Sequence, residues 1–251
     1  MTILHTDKLS AMYGKVTAIK GVTLAFEANK VHAMIGPSGC GKSTFLRTLN
    51  RLHELSIGGW ITGRVLLDGQ DIYAPDISPI QLRRRVGMVF QKPTPFPTMS
   101  IRDNVAAGLR VGPRLSKTAT DEVVERALRQ AALWEEVKDR LNSSAMALSG
   151  GQQQRLCLAR TVAPEPEVIL LDEPTASLDP QGTQRIEELL FQLKQEFTIL
   201  IVTHNMRQAA RVSDTTSFFY MGEMIEHGGT NQIFTAPAEP QTEAYITGRF
   251  G

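Results

Sequence analysis

Residues 36–43 have the types and the spacing of a loop that binds phosphate. Their sequence, Gly-Pro-Ser-Gly-Cys-Gly-Lys-Ser, fits the pattern G-x-x-x-x-G-K-[ST]. In such a loop, glycines let backbone N–H groups surround a phosphate chain, and a helix that begins there adds the positive end of its dipole. Lys42 would bring a positive charge to the outer phosphates, and Ser43 would offer a hydroxyl ligand to Mg²⁺. An ordinary glycine-rich turn is the alternative, but the strand pattern before the loop and the helical pattern after it favour phosphate binding.

A pair of carboxylates follows the apolar run at residues 168–171. Such a run is typical of a strand in a parallel sheet, and acidic residues at its end lie at the carboxyl edge of the sheet, where ligands bind in α/β folds. There Asp172 could hold Mg²⁺, and Glu173 could polarise an attacking water as a general base. The alternative is an acidic pair that only faces solvent. The phosphate-binding pattern at residues 36–43 favours the chemical interpretation.

Two adjacent glycines, Gly150 and Gly151, lie in residues 148–155, which have the sequence Leu-Ser-Gly-Gly-Gln-Gln-Gln-Arg. Ser149 is placed to cap a helix that begins near Gly151, and glycines there would let the free N–H groups of the helix approach an anion. One nucleotide needs only one phosphate cradle, and residues 36–43 already provide it. The second cradle therefore predicts contact with the nucleotide of another copy of the chain. A glycine-capped helix with a flexible entry is the alternative.

The composition is that of an ordinary globular protein. The 251 residues include 27 Lys and Arg against 26 Asp and Glu, which gives a net charge of +1 and does not favour a nucleic-acid partner. Two cysteines make no disulfide framework and weakly indicate a reducing compartment. The N-terminal residues lack the pattern of a signal peptide, and no apolar run is long enough to cross a bilayer. These features predict a soluble, cytoplasmic chain that reaches a membrane only through a partner.

Strand and helix patterns alternate on both sides of a central helical segment. Three prolines between residues 93 and 97 exclude a helix or a central strand there, and Ser100 with Asp103 resembles a helix N-terminus. Strands are predicted at residues 22–26, 30–35, 61–73 with a turn at Asp68 and Gly69, 86–90, 168–171 and 198–202, with a hairpin at 215–228. Helices are predicted from Lys42 through Leu52 until Gly58 and Gly59 break the pattern, over 118–140, 152–163, about 180–196 and 206–212, and in two short segments after the hairpin.

The motifs together resemble those of the nucleotide-binding subunits of ABC transporters. The resemblance rests on residues 36–44, Gln91, residues 148–152, residues 171–174 and His204, in the order and spacing of that family along nearly the whole chain. It implies an α/β fold with a P-loop NTPase core, a mixed and mainly parallel sheet, an N-terminal antiparallel β subdomain and a helical insertion. Residues 1–91 and 149–251 would form the core with its β subdomain, and residues 92–148 the helical subdomain.

Longer stretches resemble one branch of this family, the ATPases of phosphate importers. These stretches are residues 35–44 with 46–51, residues 86–97, residues 149–156 and the C-terminal residues 245–251. Because they lie in the loop, the insertion and the tail, the resemblance does not rest on a single motif.

The resemblance also implies roles for single residues. Tyr13 matches the aromatic residue that stacks on adenine, Gln91 the glutamine that senses Mg²⁺ and the attacking water, and His204 the histidine that contacts the γ-phosphate. Asp179 matches the aspartate of the loop that crosses between subunits, although residues 176–179 read Ala-Ser-Leu-Asp where the family commonly has Ser-Ala-Leu-Asp. The implied catalytic set is Glu173, His204, Gln91 and Lys42, and the implied Mg²⁺ ligands are Ser43, Gln91 and Asp172. The implied ATP-binding set is Tyr13, Gly36, Pro37, Ser38, Gly39, Cys40, Gly41, Lys42, Ser43, Thr44, Gln91, Ser149, Gly150, Gly151, Gln152, Asp179 and His204.

The expected activity is ATP hydrolysis that drives uptake of inorganic phosphate, with ATP and Mg²⁺ bound between two copies of the chain. The resemblance implies further partners: two transmembrane permease subunits and, indirectly, an extracytoplasmic phosphate-binding protein, with the chain at the cytoplasmic face of the membrane. Three alternatives stay open. They are an ABC ATPase for another solute, a soluble ABC ATPase outside transport, and a different P-loop enzyme such as a kinase, which would not need the glycines at 150 and 151.

Overall fold

The computed structural model describes residues 1–112 and 115–249. Its described residues fall into two compact units, one formed by residues 1–82 with 198–249 and the other by residues 83–112 with 115–197. The last two residues of the C-terminal stretch that resembles phosphate-importer ATPases, Phe250 and Gly251, lie outside the described residues. In the described part of the chain, no helix combines the length and the apolar character that a bilayer crossing needs.

Ten strands and ten α-helices follow one another along the described residues. The first half contains β1 (Thr2–Tyr13), β2 (Val16–Glu27), β3 (Val31–Ile35), α1 (Lys42–Thr48), β4 (Gly59–Leu67), β5 (Gln70–Asp71), α2 (Pro79–Arg85), β6 (Val86–Val89), α3 (Ile101–Ala106) and α4 (Lys117–Gln130). The second half contains α5 (Trp134–Val137), α6 (Gly150–Val162), β7 (Val168–Asp172), α7 (Pro180–Leu193), β8 (Thr198–Val202), α8 (Met206–Val212), β9 (Thr215–Tyr220), β10 (Glu223–Gly229), α9 (Thr230–Thr235) and α10 (Pro240–Ile246).

The first unit contains two groups of strands. One is an antiparallel sheet in the order β2-β1-β4-β5, and along β2 buried apolar residues alternate with exposed residues, as expected for a strand with one face on the core. In the other group β3 lies between β8 and β9 and is parallel to both, while β10 pairs antiparallel with β9. Every residue of β3 and β8 is buried, which explains why both read as continuous apolar runs.

The second unit combines a parallel strand pair with helices. β6 and β7 pair in parallel, with Val89 opposite Leu171. The helix α6 contacts α3, α4 and β6, and its buried residues include Leu156, Cys157 and Leu158. This helix is therefore the central packing element of the unit.

Most predicted elements are confirmed, and the α/β class with a separate antiparallel sheet is confirmed with them. The strand β1 was not predicted, because Lys8 has a left-handed φ of 47° and the pairing register shifts around it, which interrupts the alternation of buried and exposed residues. The helix α1 ends at Thr48 although Leu52 continues the helical spacing. Arg51, with φ of 59°, cannot continue a right-handed helix. The division at residues 91 and 149 stays a prediction.

An aromatic cluster in the first unit supports the helix that follows the glycine-rich loop. The ring of Phe45 on α1 lies 5.3 Å from the ring of Phe219 on β9 and 6.4 Å from that of Phe26 on β2. All three rings are fully buried. Packing in the core, and not only the hydrogen bonds of the helix, thus holds the start of α1 in place.

Replacement of Phe45 by alanine should destabilise the protein strongly. A buried Phe→Ala substitution costs about 3–5 kcal/mol, because it removes apolar burial and leaves a cavity. Urea unfolding followed by circular dichroism measures this loss. The control is Ile57→Ala, since Ile57 is fully exposed and its truncation should change the free energy of unfolding by less than about 0.5 kcal/mol. Equal effects of the two substitutions would contradict the packing of Phe45 between Phe26 and Phe219.

Candidate functional site

The loop between β3 and α1 can form only with glycine at two positions. Gly36 has a φ of +145°, and a Cβ atom there would lie 2.1 Å from the carbonyl oxygen of Phe219. Gly41 has a φ of +106°, and its Cβ would lie 2.6 Å from the carbonyl oxygen of Ala18. Real Cβ atoms do not approach backbone oxygens so closely, and side chains disfavour these φ values. Steric contacts within the chain therefore explain why the motif has glycine at these two positions.

Lys42 is buried and holds the loop from inside. Its Nζ donates hydrogen bonds to the carbonyl oxygens of Gly36 at 2.7 Å and Pro37 at 2.8 Å, and it lies 3.6 Å from the Sγ of Cys40. An ammonium group is a compact point charge with three donors. Here the carbonyl groups of the loop itself hold that charge in place, so the loop is stabilised without any ligand.

Tyr13 lies beside the start of α1. Its hydroxyl is 3.2 Å from the Oγ1 of Thr44, and its ring meets the ring of His53 edge-on at a centroid distance of 4.7 Å. The structure thus brings together Tyr13 and the last residue of the predicted phosphate loop. These two residues are far apart in the chain and meet because β1 ends next to α1.

His204 lies at the same sheet edge as the loop. It is exposed and follows β8 directly after Thr203, just before α8, whose N-cap is Asn205. Because β3 and β8 are parallel neighbours, the residues that follow them emerge at one carboxyl edge. Parallel pairing therefore accounts for the nearness of this histidine to the end of β3.

In the second unit, Asp172 is the last residue of β7 and Glu173 follows it, so the two carboxylates lie at the end of the strand as predicted. The side chain of Asp172 is buried. The backbone of Glu173 is left-handed, with a φ of 46°. Such a backbone is uncommon for residues other than glycine, and it often marks functional sites. The Nε2 of Gln91, which follows β6, donates a hydrogen bond to the Oε2 of Glu173 at 3.2 Å. The parallel pair β6 and β7 thus joins two predicted site residues that are 82 positions apart.

The residues of the second predicted cradle line a cleft at the start of α6. Ser149 and Gln152 form a capping box: the N–H of Gln152 donates to the Oγ of Ser149, and the N–H of Ser149 donates to the Oε1 of Gln152. Asp179 caps α7, with its Oδ1 accepting from the N–H of Gly182 at 2.7 Å. Both helix ends line one cleft of about 350 Å³. The glycines Gly150 and Gly151 lie in the same cleft.

Three charged residues of this cleft were not predicted. They are Glu136, Arg155 and Arg185, which also line it. Arg155 belongs to the motif at residues 148–155, but nothing in its spacing indicates a partner. Glu136 and Arg185 come from distant segments, so only the folded structure reveals their meeting.

The oxygen donors predicted for Mg²⁺ suit that ion by their chemistry. They are the hydroxyl of Ser43 in the first unit and the side chains of Gln91 and Asp172 in the second. Mg²⁺ prefers such oxygens and usually takes one or two protein ligands together with substrate phosphates. Among the described residues there is no group of three or more His, Cys, Asp or Glu side chains arranged to hold a metal ion. Each of these side chains, taken by itself, has an oxygen of the kind that fits a Mg²⁺ ion bound together with phosphate.

Comparisons with known proteins identify the family of the chain. A sequence model of the family described as "ABC transporter" matches residues 19–176. The solved structure of CbiO1 from Clostridium perfringens, part of an ABC transporter complex, superposes with a TM-score of 0.81 at 29% identity, covering 94% of this chain and 91% of that one. A bacterial Atm1-family ABC exporter with ATP bound gives a TM-score of 0.81 at 26% identity over the whole chain, which spans 42% of the exporter.

The chain therefore belongs to the ABC transporter family, as one of its ATPases. The chain is also similar in sequence to a curated relative over almost its entire length. The phosphate import ATP-binding protein PstB of Rubrobacter xylanophilus is 58% identical over 255 residues, which cover 99% of this chain and 89% of the relative.

Gly36→Ala should weaken binding of ATP to the isolated subunit. The added Cβ would force the loop away from Phe219, and backbone strain of this kind costs about 1–3 kcal/mol. We expect the affinity for a fluorescent ATP analogue to fall by about tenfold to a hundredfold.

Gly229→Ala is the matched control, since a Cβ at Gly229 has no neighbour within 4 Å, this glycine has no positive φ, and it belongs to none of the predicted site motifs. The control should bind the analogue as the wild type does. Unchanged affinity in Gly36→Ala would show that the loop tolerates a side chain and that the steric account is wrong.

Proposed function

We propose that this chain is the ATP-hydrolysing subunit of a phosphate importer, bound peripherally at the cytoplasmic face of the membrane. The 58% identity to a phosphate import ATP-binding protein over 99% of the chain supports the solute. The preformed loop around Lys42 supports the activity, because it offers a nucleotide a rigid cradle of backbone N–H groups and a positive charge.

In the first unit, the proposed roles concern ATP itself. The backbone N–H groups of residues 36–44 and the ammonium of Lys42 bind the phosphate chain, while Ser43 supplies an oxygen ligand for Mg²⁺. Tyr13 stacks on adenine, which fits its position beside Thr44. His204 contacts the terminal phosphate from the edge at which the loop begins.

In the second unit, the proposed roles concern the attacking water. Glu173 accepts a proton from the water while the water oxygen bonds to the γ-phosphorus and the bond to the bridging oxygen of ADP breaks. Gln91 orients this carboxylate through its hydrogen bond of 3.2 Å. Asp172 and Gln91 supply oxygen ligands for Mg²⁺, which neutralises charge on the phosphate oxygens when bound.

The glycines at the start of α6 support the proposal that two copies of the chain act together. A Cβ at Gly150 would meet no atom within 4 Å, and one at Gly151 would meet only the Cδ2 of Leu178 at 3.9 Å. Neither glycine has a positive φ. Glycine in a helix costs about 0.5–1 kcal/mol relative to alanine, so no contact among the described residues favours glycine here. We infer that a group from outside approaches this backbone closely, namely the ATP held by residues 36–44 of a second copy.

Two copies then face each other head to tail, each completing the nucleotide site of the other. ATP contacts both copies, so it stabilises the closed dimer by differential binding. Hydrolysis removes the terminal phosphate that joins the two surfaces, and the dimer reopens. Two transmembrane permease subunits receive this motion through the helices of residues 92–148, and an extracytoplasmic phosphate-binding protein delivers the solute to them. The balanced charge of the chain lends no support to a nucleic-acid partner.

Glu173→Gln should abolish turnover and retain ATP binding. Loss of a general base slows hydrolysis by about a hundredfold to ten-thousandfold, and the uncleaved ATP should hold the purified variant as a dimer in Mg-ATP. Phosphate release and light scattering measure the two effects. Glu165→Gln, at an exposed carboxylate that belongs to none of the site motifs and pairs with Arg126, serves as the control and should behave as the wild type. Wild-type turnover in Glu173→Gln would exclude the assignment of the base.

Uptake of radiolabelled phosphate tests the proposed solute. Cells that lack the gene should lose high-affinity uptake, and the wild-type gene should restore it, whereas the gene with Glu173→Gln should not. Restored uptake of a different solute, with phosphate uptake unaffected throughout, would assign the ATPase to another importer.

A further inference from the structure

Glu136 on α5 lies at the centre of a charged cluster that joins three helices of the second unit. Its Oε1 accepts hydrogen bonds from the Nη1 of Arg155 on α6 at 2.7 Å and from the Nη1 of Arg185 on α7 at 3.0 Å. Its Oε2 accepts from the Nε2 of Gln152 at 2.8 Å and from the Nη2 of Arg155 at 3.2 Å. One carboxylate therefore bonds to both helices whose N-termini line the cleft.

The buried guanidinium of Arg155 keeps this carboxylate negatively charged. The side chain of Arg155 is only 7% exposed, and a buried guanidinium needs an anionic partner. The guanidinium also donates to the carbonyl oxygen of Ala132. Its hydrogen bonds hold the pKa of Glu136 below the usual range, so that Glu136 stays ionised near neutral pH. The pair is a fixed element of the unit.

Glu136 also determines which way the amide of Gln152 points. An ionised carboxylate only accepts hydrogen bonds, so the NH₂ group of Gln152 must face Glu136. Its amide oxygen then faces the backbone N–H of Ser149, to which it is bonded at 2.9 Å. With the amide reversed, the capping box would lose this bond. The carboxylate thereby stabilises the conformation of residues 149–152.

The contact with Arg185 fixes the other wall of the cleft. Arg185 lies on α7 six residues after Asp179, which is the N-cap of that helix. Because α7 is a continuous helix from residue 180, holding Arg185 restrains where Asp179 lies. The two cleft walls, residues 149–152 and Asp179, are thus both tied to Glu136.

We propose that Glu136 is a positioning residue of the ATPase, which sets the spacing between residues 149–152 and Asp179 so that together they bind the nucleotide held by a second copy. The inference rests on the proposed two-copy function. Glu136 is not assigned any contact with ATP, so its effect must be transmitted through Gln152 and Arg185.

The test compares Glu136→Gln with Glu135→Gln. Glu135 is the preceding residue on α5, but it pairs with Lys138 and Arg129 at the surface and does not line the cleft. For Glu136→Gln we expect kcat to fall by about tenfold to a hundredfold, as for other small misplacements of a site. KM and the affinity of the isolated subunit for a fluorescent ATP analogue should stay within about twofold of the wild type, because the loop at residues 36–44 is intact. Glu135→Gln should change none of these quantities.

Dimerisation separates this inference from the proposed function. In the Glu173→Gln background, Mg-ATP should produce a dimer, and adding Glu136→Gln should raise the dimer dissociation constant by about tenfold or more. If Glu173→Gln alone stays monomeric in Mg-ATP, even with the permease subunits present, the two-copy function fails and the inference with it. If that dimer forms and Glu136→Gln neither weakens it nor lowers kcat, only the role of Glu136 is overturned.

Arg185→Gln keeps the test decisive if Glu136→Gln does not fold. The side chain of Arg185 is 53% exposed, so its replacement leaves the buried pair of Glu136 and Arg155 in place. We expect this variant to reproduce part of the loss in kcat at unchanged KM. We also expect the double variant, where it folds, to be no slower than Glu136→Gln. Wild-type kcat in Arg185→Gln, or fully additive losses in the double variant, would overturn the inference.

Discussion

The close packing of the loop at residues 36–44 against its own backbone is the constraint on which the site depends. A Cβ atom at Gly36 or at Gly41 would lie too close to a backbone carbonyl oxygen, so no side chain fits at either position. Lys42 donates hydrogen bonds to two carbonyl oxygens of the same loop. The buried ring of Phe45 anchors the helix that follows. The loop is therefore already ordered within the chain, and a ligand that bound there would not lose affinity to the conformational entropy of ordering it.

Parallel strand pairing brings distant residues to common edges in each unit. In the first unit it aligns the loop after β3 with His204 after β8. In the second it aligns Gln91 after β6 with Glu173 after β7, and here the two side chains are bonded. The left-handed backbone of Glu173 is consistent with a local conformation retained for chemistry rather than for stability. The hydrogen bond from the neighbouring amide of Gln91 thus orients the carboxylate of Glu173.

The sequence alone predicted most strands and helices and the two glycine-rich segments, because apolar periodicity and backbone sterics are local properties. It did not predict β1, whose alternation is interrupted at Lys8. It also placed the end of α1 too late, since the left-handed backbone at Arg51 leaves no mark in the apolar pattern. The cluster around Glu136 was missed for a different reason. Its partners come from α6 and α7, and residue spacing carries no information about a meeting of that kind.

The open space around Gly150 and Gly151 has a genetic consequence. Folding within one chain does not need these glycines, so an allele that encodes alanine at either position would still yield a folded polypeptide. Such a polypeptide would enter assemblies beside normal copies. Because each member of a pair completes its neighbour's nucleotide site in the proposed arrangement, one altered member would impair the site of a normal neighbour. We therefore infer that such alleles interfere with the normal gene product when both are present in one cell.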